Sequence, residues 1–180
     1  MFILYAIPLG VALGYLLGGR LDRLGDLRFR WGWLAVAGLI AQVLLFSDVS
    51  AGIVGGGVGE VLYVASTAAV LVAVLRNVRL PGLALVALGA VSNLVAVVAN
   101  GGIMPTTAAA VATAGLADDP GFSNSAILAE PRLAPLTDIF ALPSWVPLAN
   151  VFSVGDVLIG LGVVAVLALG MRAAPDDPSV

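Results

Sequence analysis

Three acidic residues are the side chains of this sequence with the clearest potential for acid–base chemistry. Asp138 could pair with Asp156 or with Glu60 as general acid and base, and two such carboxylates could also hold a hard cation such as calcium. The chain has no cysteine, histidine or lysine, which excludes thiolate chemistry, imidazole ligation and Schiff-base formation. Because spacing along a chain does not bring carboxylates together without a fold, the sequence predicts no catalytic residue, metal site or cofactor.

The composition limits where these carboxylates can lie. Hydrophobic residues make up 61% of the 180 positions and charged residues 11%, with a mean hydropathy of +1.10. A soluble domain carries roughly 25% charged residues, so this chain has too few polar side chains to cover a surface that faces water. We therefore expect an integral membrane protein in contact with membrane lipids. The net charge is −3, and no basic stripe indicates a nucleic-acid partner.

Five apolar runs approach the length of about 20 residues that a hydrocarbon core requires. They cover residues 2–19, 31–47, 58–75, 81–99 and 155–172. The predicted fold is therefore all-α: a single domain, 1–172, built as a polytopic membrane helix bundle of about five transmembrane helices. The charged, leucine-containing stretch between the first two runs predicts a short helix in the membrane interface. Residues 173–180 would form a short acidic tail.

The connection between the fourth and fifth runs is long, and it is rich in large apolar residues. Such a composition is not typical of a disordered linker, so residues 100–154 are predicted to form a structured extracytoplasmic lid. Pro105 favours the start of a short helix within it, and Gly115 favours the end of that helix. Ser153 and Asp156 have the spacing of a capping box at the start of the last run.

The arginines predict the orientation of the chain in the membrane, because cytoplasmic loops carry an excess of basic residues. Seven of the eight lie in the first loop, in the third loop or after the last run: Arg20, Arg23, Arg28, Arg30, Arg76, Arg79 and Arg172. Arg132, in the long connection, is the exception. We therefore expect a multi-pass protein with its N-terminus outside and its C-terminus and acidic tail in the cytoplasm.

Small residues predict how the helices pack. Gly10, Gly14 and Gly18 recur at four-residue spacing, and such a stripe lets another helix approach closely. The stripe could serve packing within the chain, or it could form a face for a partner subunit or a second copy.

The polar residues of the apolar runs lie in the half of the membrane that this orientation places outside. They could join helices by hydrogen bonds, or they could line a pocket beneath the lid. Carboxylate and amide side chains are the candidates for such a ligand-binding site: Gln42, Glu60, Asn93, Asn100, Asp138 and Asp156. Gly101 and Gly102 would allow close approach of the backbone to a ligand.

Several short motifs resemble those of a known family. The motifs are ANGGIMP after a run that contains asparagine, LTDIF in the long connection, SVGDVLIGLG at the last run and GYLLGGRLDRL near the N-terminus. Together they resemble the bacterial membrane proteins grouped as domain-of-unknown-function family 5317. The resemblance implies a place in the bacterial cytoplasmic (inner) membrane but no activity. Its characteristic positions correspond to Asn93, Asn100, Gly101, Gly102, Met104, Pro105, Asp138, Ser153 and Asp156, and so add Met104, Pro105 and Ser153 to the candidate site.

Three functions are compatible with these features. The chain could be a non-catalytic accessory or assembly subunit of a larger membrane complex, or it could associate with itself. It could instead bind or transport a lipid or small molecule at a site in the outer half of the membrane. It could also be a carboxylate-based intramembrane enzyme. The absence of nucleophiles and metal ligands at matching spacing favours the first of these.

Overall fold

A computed structural model describes residues 2–45, 57–116 and 125–172 of the chain. The α-helices in these ranges are α1 (Ala6–Leu16), α2 (Gly32–Leu45), α3 (Val58–Arg76), α4 (Leu83–Ala99), α5 (Ala108–Ala114) and α6 (Val154–Gly170). The strands are β1 (Met104–Thr106), β2 (Ser125–Ile127), β3 (Phe140–Ala141) and β4 (Val151–Phe152). Short 3-10 helices cover Phe2–Tyr5, Leu21–Asp26 and Ala134–Leu136.

The main helix contacts run in the order α1, α6, α4, α3 and α2, so the last helix lies between the first and the fourth. Helices α4 and α6 are antiparallel, because Gly82 at the start of α4 lies against Gly162 and Gly89 lies against Gly155. Helices α3 and α4 are also antiparallel, since Gly102 after α4 lies against Glu60 near the start of α3. The ends of α3 and α6 and the start of α4 therefore lie together at one end of the helices.

Glycines bring α4 and α6 close together. A Cβ atom added to Gly89 would lie 2.9 Å from the backbone nitrogen of Ile159, and one added to Gly162 would lie 2.8 Å from that of Val86. Real side chains do not approach backbone atoms this closely, so glycine is required at both positions. The same close approach brings the polar side chains of the two helices within hydrogen-bonding distance.

The glycine stripe of α1 faces α6 of the same chain. A Cβ atom on Gly10 would lie 2.9 Å from the Cβ of Leu167, and Gly14 lies against Met171. Gly18 differs, because no heavy atom lies within 4 Å of an added Cβ and its φ of +78° places it in the turn after the helix. Two of the three glycines, Gly10 and Gly14, are therefore in contact with residues of the same chain.

The long connection is folded onto the helix ends. Strands β1 and β2 pair in parallel with Met104 opposite Ser125, and Asp138 forms a bridge with Thr106 of β1. Strands β3 and β4 pair antiparallel with Phe140 opposite Phe152. The predicted short helix is present as α5, but it begins at Ala108 after the cap Thr107, and Pro105 lies in β1 instead.

The prediction of an all-α bundle of about five transmembrane helices is wrong. Among the described residues, one helix, α3, has the length and apolarity to cross a membrane, and its mean hydropathy is 2.1. Helices α4 and α6 have 17 residues each, which at about 1.5 Å per residue falls short of a core about 30 Å thick. The apolar runs are longer than the helices within them because turns occupy their ends, as Gly82 does before α4 with a φ of +87°. The four strands also contradict an all-α description.

The remaining predictions of local structure have mixed outcomes. The charged segment between the first two apolar runs contains a 3-10 helix, Leu21–Asp26, where a short helix at the membrane interface was expected. The capping box at Ser153 and Asp156 is confirmed. The predicted acidic tail, 173–180, and the end of the 31–47 run lie outside the described residues.

Candidate functional site

A polar network joins α4 to the start of α6. The Asn93 side chain donates from Nδ2 to Oδ1 of Asp156 at 2.8 Å and accepts from the Ser153 hydroxyl at 2.8 Å. The Ser153 hydroxyl also accepts from the backbone N–H of Asp156 at 3.0 Å, and the Ser153 N–H donates to Oδ2 of Asp156 at 3.0 Å. Ser153 is completely buried, so the network is the means by which these polar atoms are satisfied inside the protein.

Asp138 is held beside this network by the backbone of the long connection. Its N–H donates to the Pro105 carbonyl at 2.9 Å, and its carbonyl accepts from the Thr106 hydroxyl at 2.9 Å. The Ser125 hydroxyl donates to Oδ2 of its carboxyl group at 3.1 Å. The other carboxyl oxygen, Oδ1, is buried and has no hydrogen-bond partner among the described residues, although Asp138 is only 6% exposed.

Asp138 has an unusually high pKa, and burial is its main cause. The pKa of Asp138 is raised to about 7: removal from water is the largest cause, the negative charge of Asp156 also raises it, and the hydrogen bond from Ser125 opposes the shift. The carboxyl group is therefore divided between its neutral and charged forms near neutral pH. A buried carboxyl group with one oxygen that lacks a hydrogen-bond partner can take up a proton or accept hydrogen bonds from a cation.

Both carboxylates line one cavity of about 150 Å³. Its lining combines the two acids with a hydroxyl, an amide and apolar side chains: Phe2, Ile3, Ser125, Asp138, Asn150, Val151, Phe152 and Asp156. The Phe2 ring stacks on the Phe152 ring with 4.4 Å between centroids and 9° between planes. The cavity thus has an acidic wall and an aromatic wall.

Five of the candidate residues from the sequence are brought together here. Asp138 and Asp156 line the cavity. Asn93 and Ser153 are not among the lining residues, but their hydrogen bonds hold the carboxylate of Asp156 in place. Pro105 contributes its carbonyl to Asp138 and is fully buried.

The other candidates lie elsewhere. Gln42 donates to the hydroxyl of Thr67 at 3.0 Å and joins α2 to α3. Glu60 contacts Gly102 and, with Gly101, borders a separate, mainly apolar cavity of about 360 Å³. Met104 packs in a buried apolar cluster, where its neighbours are Ala96 and Val97 of α4.

Asn100 has a role in the fold. Its amide donates to the carbonyls of Ala96 at 2.7 Å and Arg132 at 2.9 Å, and its side-chain oxygen accepts from the N–H of Arg132 at 2.8 Å. It therefore ties the long connection to the end of α4.

Six residues that line the cavity were missed by sequence reasoning: Phe2, Ile3, Ser125, Asn150, Val151 and Phe152. Phe2 reaches the cavity because α1 runs parallel to α6, with Gly160 lying against the Phe2 ring. Asn150 and Phe152 directly precede the capping box, and this proximity is the one signal in the sequence that could have drawn attention to them.

Comparison with known proteins gives a match to a protein family. The model of a family described as "Family of unknown function (DUF5317)" matches residues 26–168, about four fifths of the chain. This range contains Ser125, Asp138, Asn150 and Asp156 and leaves out Phe2. No curated protein and no solved structure matches the chain.

Proposed function

We propose that this chain, which belongs to the DUF5317 family of unknown function, is a membrane-embedded protein that binds a small organic cation between Asp138 and Asp156. One observation carries the proposal: the carboxyl group of Asp138 belongs to a residue that lines a cavity, and its Oδ1 is buried and lacks a hydrogen-bond partner among the described residues. Buried polar atoms are nearly always paired, so an unpaired oxygen in a residue that lines a cavity marks a position for a donor from a ligand.

The size and walls of the cavity define the class of ligand. A cavity of about 150 Å³ accommodates a molecule about as large as benzene. Two carboxylates favour a positive charge, and the rings of Phe2 and Phe152 favour an ammonium group or an apolar chain beside it. A primary ammonium carrying a short alkyl chain meets all three requirements.

Binding of the cation would compete with a proton. Because burial raises the pKa of Asp138 to about 7, the neutral form dominates below that pH and the charged form above it. A cation binds the charged form, so affinity would rise as pH increases through 7 and each bound ligand would displace protons from Asp138.

The proposed membrane location is supported by apolar surface that faces outward. Only 28% of the apolar window in α3 is buried inside the protein, whereas the core helix of a soluble protein is mostly buried. Large apolar side chains such as Trp33, Val43 and Val61 are 71%, 70% and 67% exposed. Surfaces of this kind are stable in contact with lipid. The predicted orientation of the termini depended on five crossings and is not part of this proposal.

A thermal-shift titration in mild detergent at pH 8 tests the proposal, with n-butylammonium as the probe and 1-butanol as its neutral counterpart. We expect butylammonium to raise the unfolding temperature by roughly 5 °C near saturation and butanol to have no effect. Asp138→Asn should abolish the shift. Glu60→Gln, which removes a carboxylate outside the cavity, should retain it. Equal shifts in the wild type and Asp138→Asn, or a shift with calcium alone, would contradict the proposal.

The prediction of an accessory or assembly subunit stays a prediction. Gly10 and Gly14, which could have formed a face for a partner, contact α6 of the same chain, so this feature no longer favours a partner subunit. The enzyme alternative also stays a prediction, and both oxygens of Asp156 are engaged by Asn93 and Ser153.

A further inference from the structure

A second pocket lies at the opposite end of the helices from Asp138. Its volume is about 510 Å³, and three of its six lining residues are arginines: Arg30, Arg76 and Arg79. The other three are apolar: Val72, Leu75 and Val78. The pocket is built where α3 ends and where the segment before α2 passes beside it.

Asn77 determines where the first arginine lies. Its side-chain oxygen accepts from the N–H of Arg30 at 2.7 Å, and its amide donates to the carbonyls of Arg30 and Ala73, both at 2.7 Å. Asn77 is only 5% exposed, so the backbone of Arg30 is fixed to the end of α3 by a buried group. This contact holds the backbone of Arg30 beside the end of α3, so that Arg30 lines the same pocket as Arg76 and Arg79.

The three guanidinium groups have no carboxylate to neutralise them in the part of the chain that the structure describes. The ion pair found there joins Arg20 to Asp22 at 3.0 Å, outside the pocket. Arg76 also lies over the ring of Trp31, with its guanidinium carbon 5.6 Å from the centroid. This contact uses one face of the Arg76 guanidinium and none of its N–H donors, which lie in the plane of the group.

We propose that this pocket binds the phosphate of an anionic phospholipid. Three arginines that line one pocket can supply the donors for the oxygens of a phosphate, which arginine binds through paired hydrogen bonds. Val72 and Leu75 are 45% and 48% exposed and form an apolar surface along α3 that leads away from the arginines. An acyl chain would lie on this surface while its headgroup occupies the pocket, an arrangement that a soluble phosphate cannot use.

The site is independent of the Asp138 cavity, and the choice of a lipid over a soluble phosphate rests on the proposed membrane location. The remaining arginines of this end reinforce the attraction. Arg20 and Arg23 lie beside the end of α6, since the N–H of Arg20 donates to the Met171 carbonyl at 2.8 Å and the Arg23 side chain donates to the Arg172 carbonyl at 3.4 Å. Arg20 is paired with Asp22, so of these two it is the positive charge of Arg23 that favours an anionic membrane surface at this end.

The test is a titration of the purified full-length protein, in detergent micelles, with fluorescently labelled phosphatidylglycerol. Unlabelled phosphatidylglycerol, phosphatidylcholine and glycerol 3-phosphate serve as competitors. The pocket variant is Arg76→Gln/Arg79→Gln, and the control variant Arg28→Gln/Arg172→Gln removes the same charge from the same end outside the pocket. The wild type should prefer phosphatidylglycerol to phosphatidylcholine, and the pocket variant should bind it about tenfold more weakly.

The control variant should stay within about threefold of the wild type, because more distant surface charges are screened by salt. An equal loss in both variants would overturn the proposal, since binding would then depend on overall charge. Competition by glycerol 3-phosphate as strong as that by phosphatidylglycerol would also overturn it, because the apolar surface of α3 would have no part in binding. Neither result would bear on Asp138, whose butylammonium response is measured separately.

Discussion

Asn93 and Asp156, which lie 63 residues apart in the sequence, are joined by a hydrogen bond of 2.8 Å between α4 and α6. This bond and the one from the Ser153 N–H engage both oxygens of Asp156, so the carboxylate keeps one orientation. Asp138 has the opposite character, because one of its oxygens has no partner among the described residues. The cavity therefore combines a fixed acid with one that can change its protonation state, and several consequences can be measured.

Gly155→Ala should disrupt the network at Asn93. An added Cβ would collide with the side-chain oxygen of Asn93 and lie 2.8 Å from the carbonyl of Gly89. We expect a loss of about 1–3 kcal/mol in the free energy of unfolding, measured by denaturant titration in detergent. Gly25→Ala is the matched control, because no heavy atom lies within 4 Å of its Cβ, and it should change stability by less than about 0.5 kcal/mol. Similar stability of the two variants would show that α4 and α6 do not pack as closely at Gly155 as the structure indicates.

Asp138→Asn should alter the pH dependence of stability. The pKa of Asp138 is raised from 3.8 in the unfolded chain to about 7, so the folded state binds more protons between these values and stability falls as pH rises through the interval. The full difference corresponds to about 4 kcal/mol at most. We expect the unfolding temperature of the wild type to decrease from pH 4 to pH 8, and that of Asp138→Asn to decrease much less. Parallel curves for the two proteins would contradict the raised pKa.

Ser125→Ala should raise the pKa of Asp138 further. The hydroxyl of Ser125 donates to Oδ2 at 3.1 Å and favours the charged carboxylate, so its removal favours the neutral form. Carbon-13 chemical shifts of labelled aspartate carboxyl groups report the titration directly. The midpoint for Asp138 should move above 7 in the variant, and a midpoint that falls would show that this hydroxyl does not act on the carboxylate as described.

Asn77→Ala should destabilise the chain more than Gln42→Ala. Asn77 makes three side-chain hydrogen bonds and is buried, whereas the bond of Gln42 to Thr67 is its one described contact of this kind. We expect the free energy of unfolding, measured by denaturant titration, to fall by about 2–4 kcal/mol in Asn77→Ala and by about 0.5–1.5 kcal/mol in Gln42→Ala. Loss of the pocket geometry should also weaken binding of phosphatidylglycerol by Asn77→Ala and leave that of Gln42→Ala unchanged. The reverse order of stabilities would show that Asn77 does not hold Arg30.

Local sequence patterns predicted the local features of this fold. The spacing of Ser153 and Asp156 correctly indicated a capping box, and Gly115 correctly marked the end of α5, because both depend on a few adjacent residues. The number of membrane crossings was not predictable in this way. Apolar length alone does not show where a turn such as Gly82 interrupts a run, and the short strands of the long connection leave no periodic signal.

The sequence predicted the two acids of the site but not the other residues that line the cavity. Asp138 and Asp156 stood out because charged groups are rare in this chain, and the structure places both at one cavity. Phe2 could not be inferred, since its position follows from the parallel packing of α1 on α6 through Gly10 and Gly14. The unpaired state of Oδ1 in Asp138 likewise depends on which donors the folded connection leaves within reach.

The most direct test of the central claim is the number of protons released when butylammonium binds. Isothermal titration calorimetry at pH 7 in buffers of different ionisation enthalpy gives this number. With the pKa of Asp138 near 7, about half of the carboxyl groups carry a proton, so the wild type should release about half a proton per ligand, falling towards zero at pH 9. Asp138→Asn should give neither binding nor release. Binding without proton release at pH 7, or the same release from Asp138→Asn, would contradict a site in which a cation and a proton compete for Asp138.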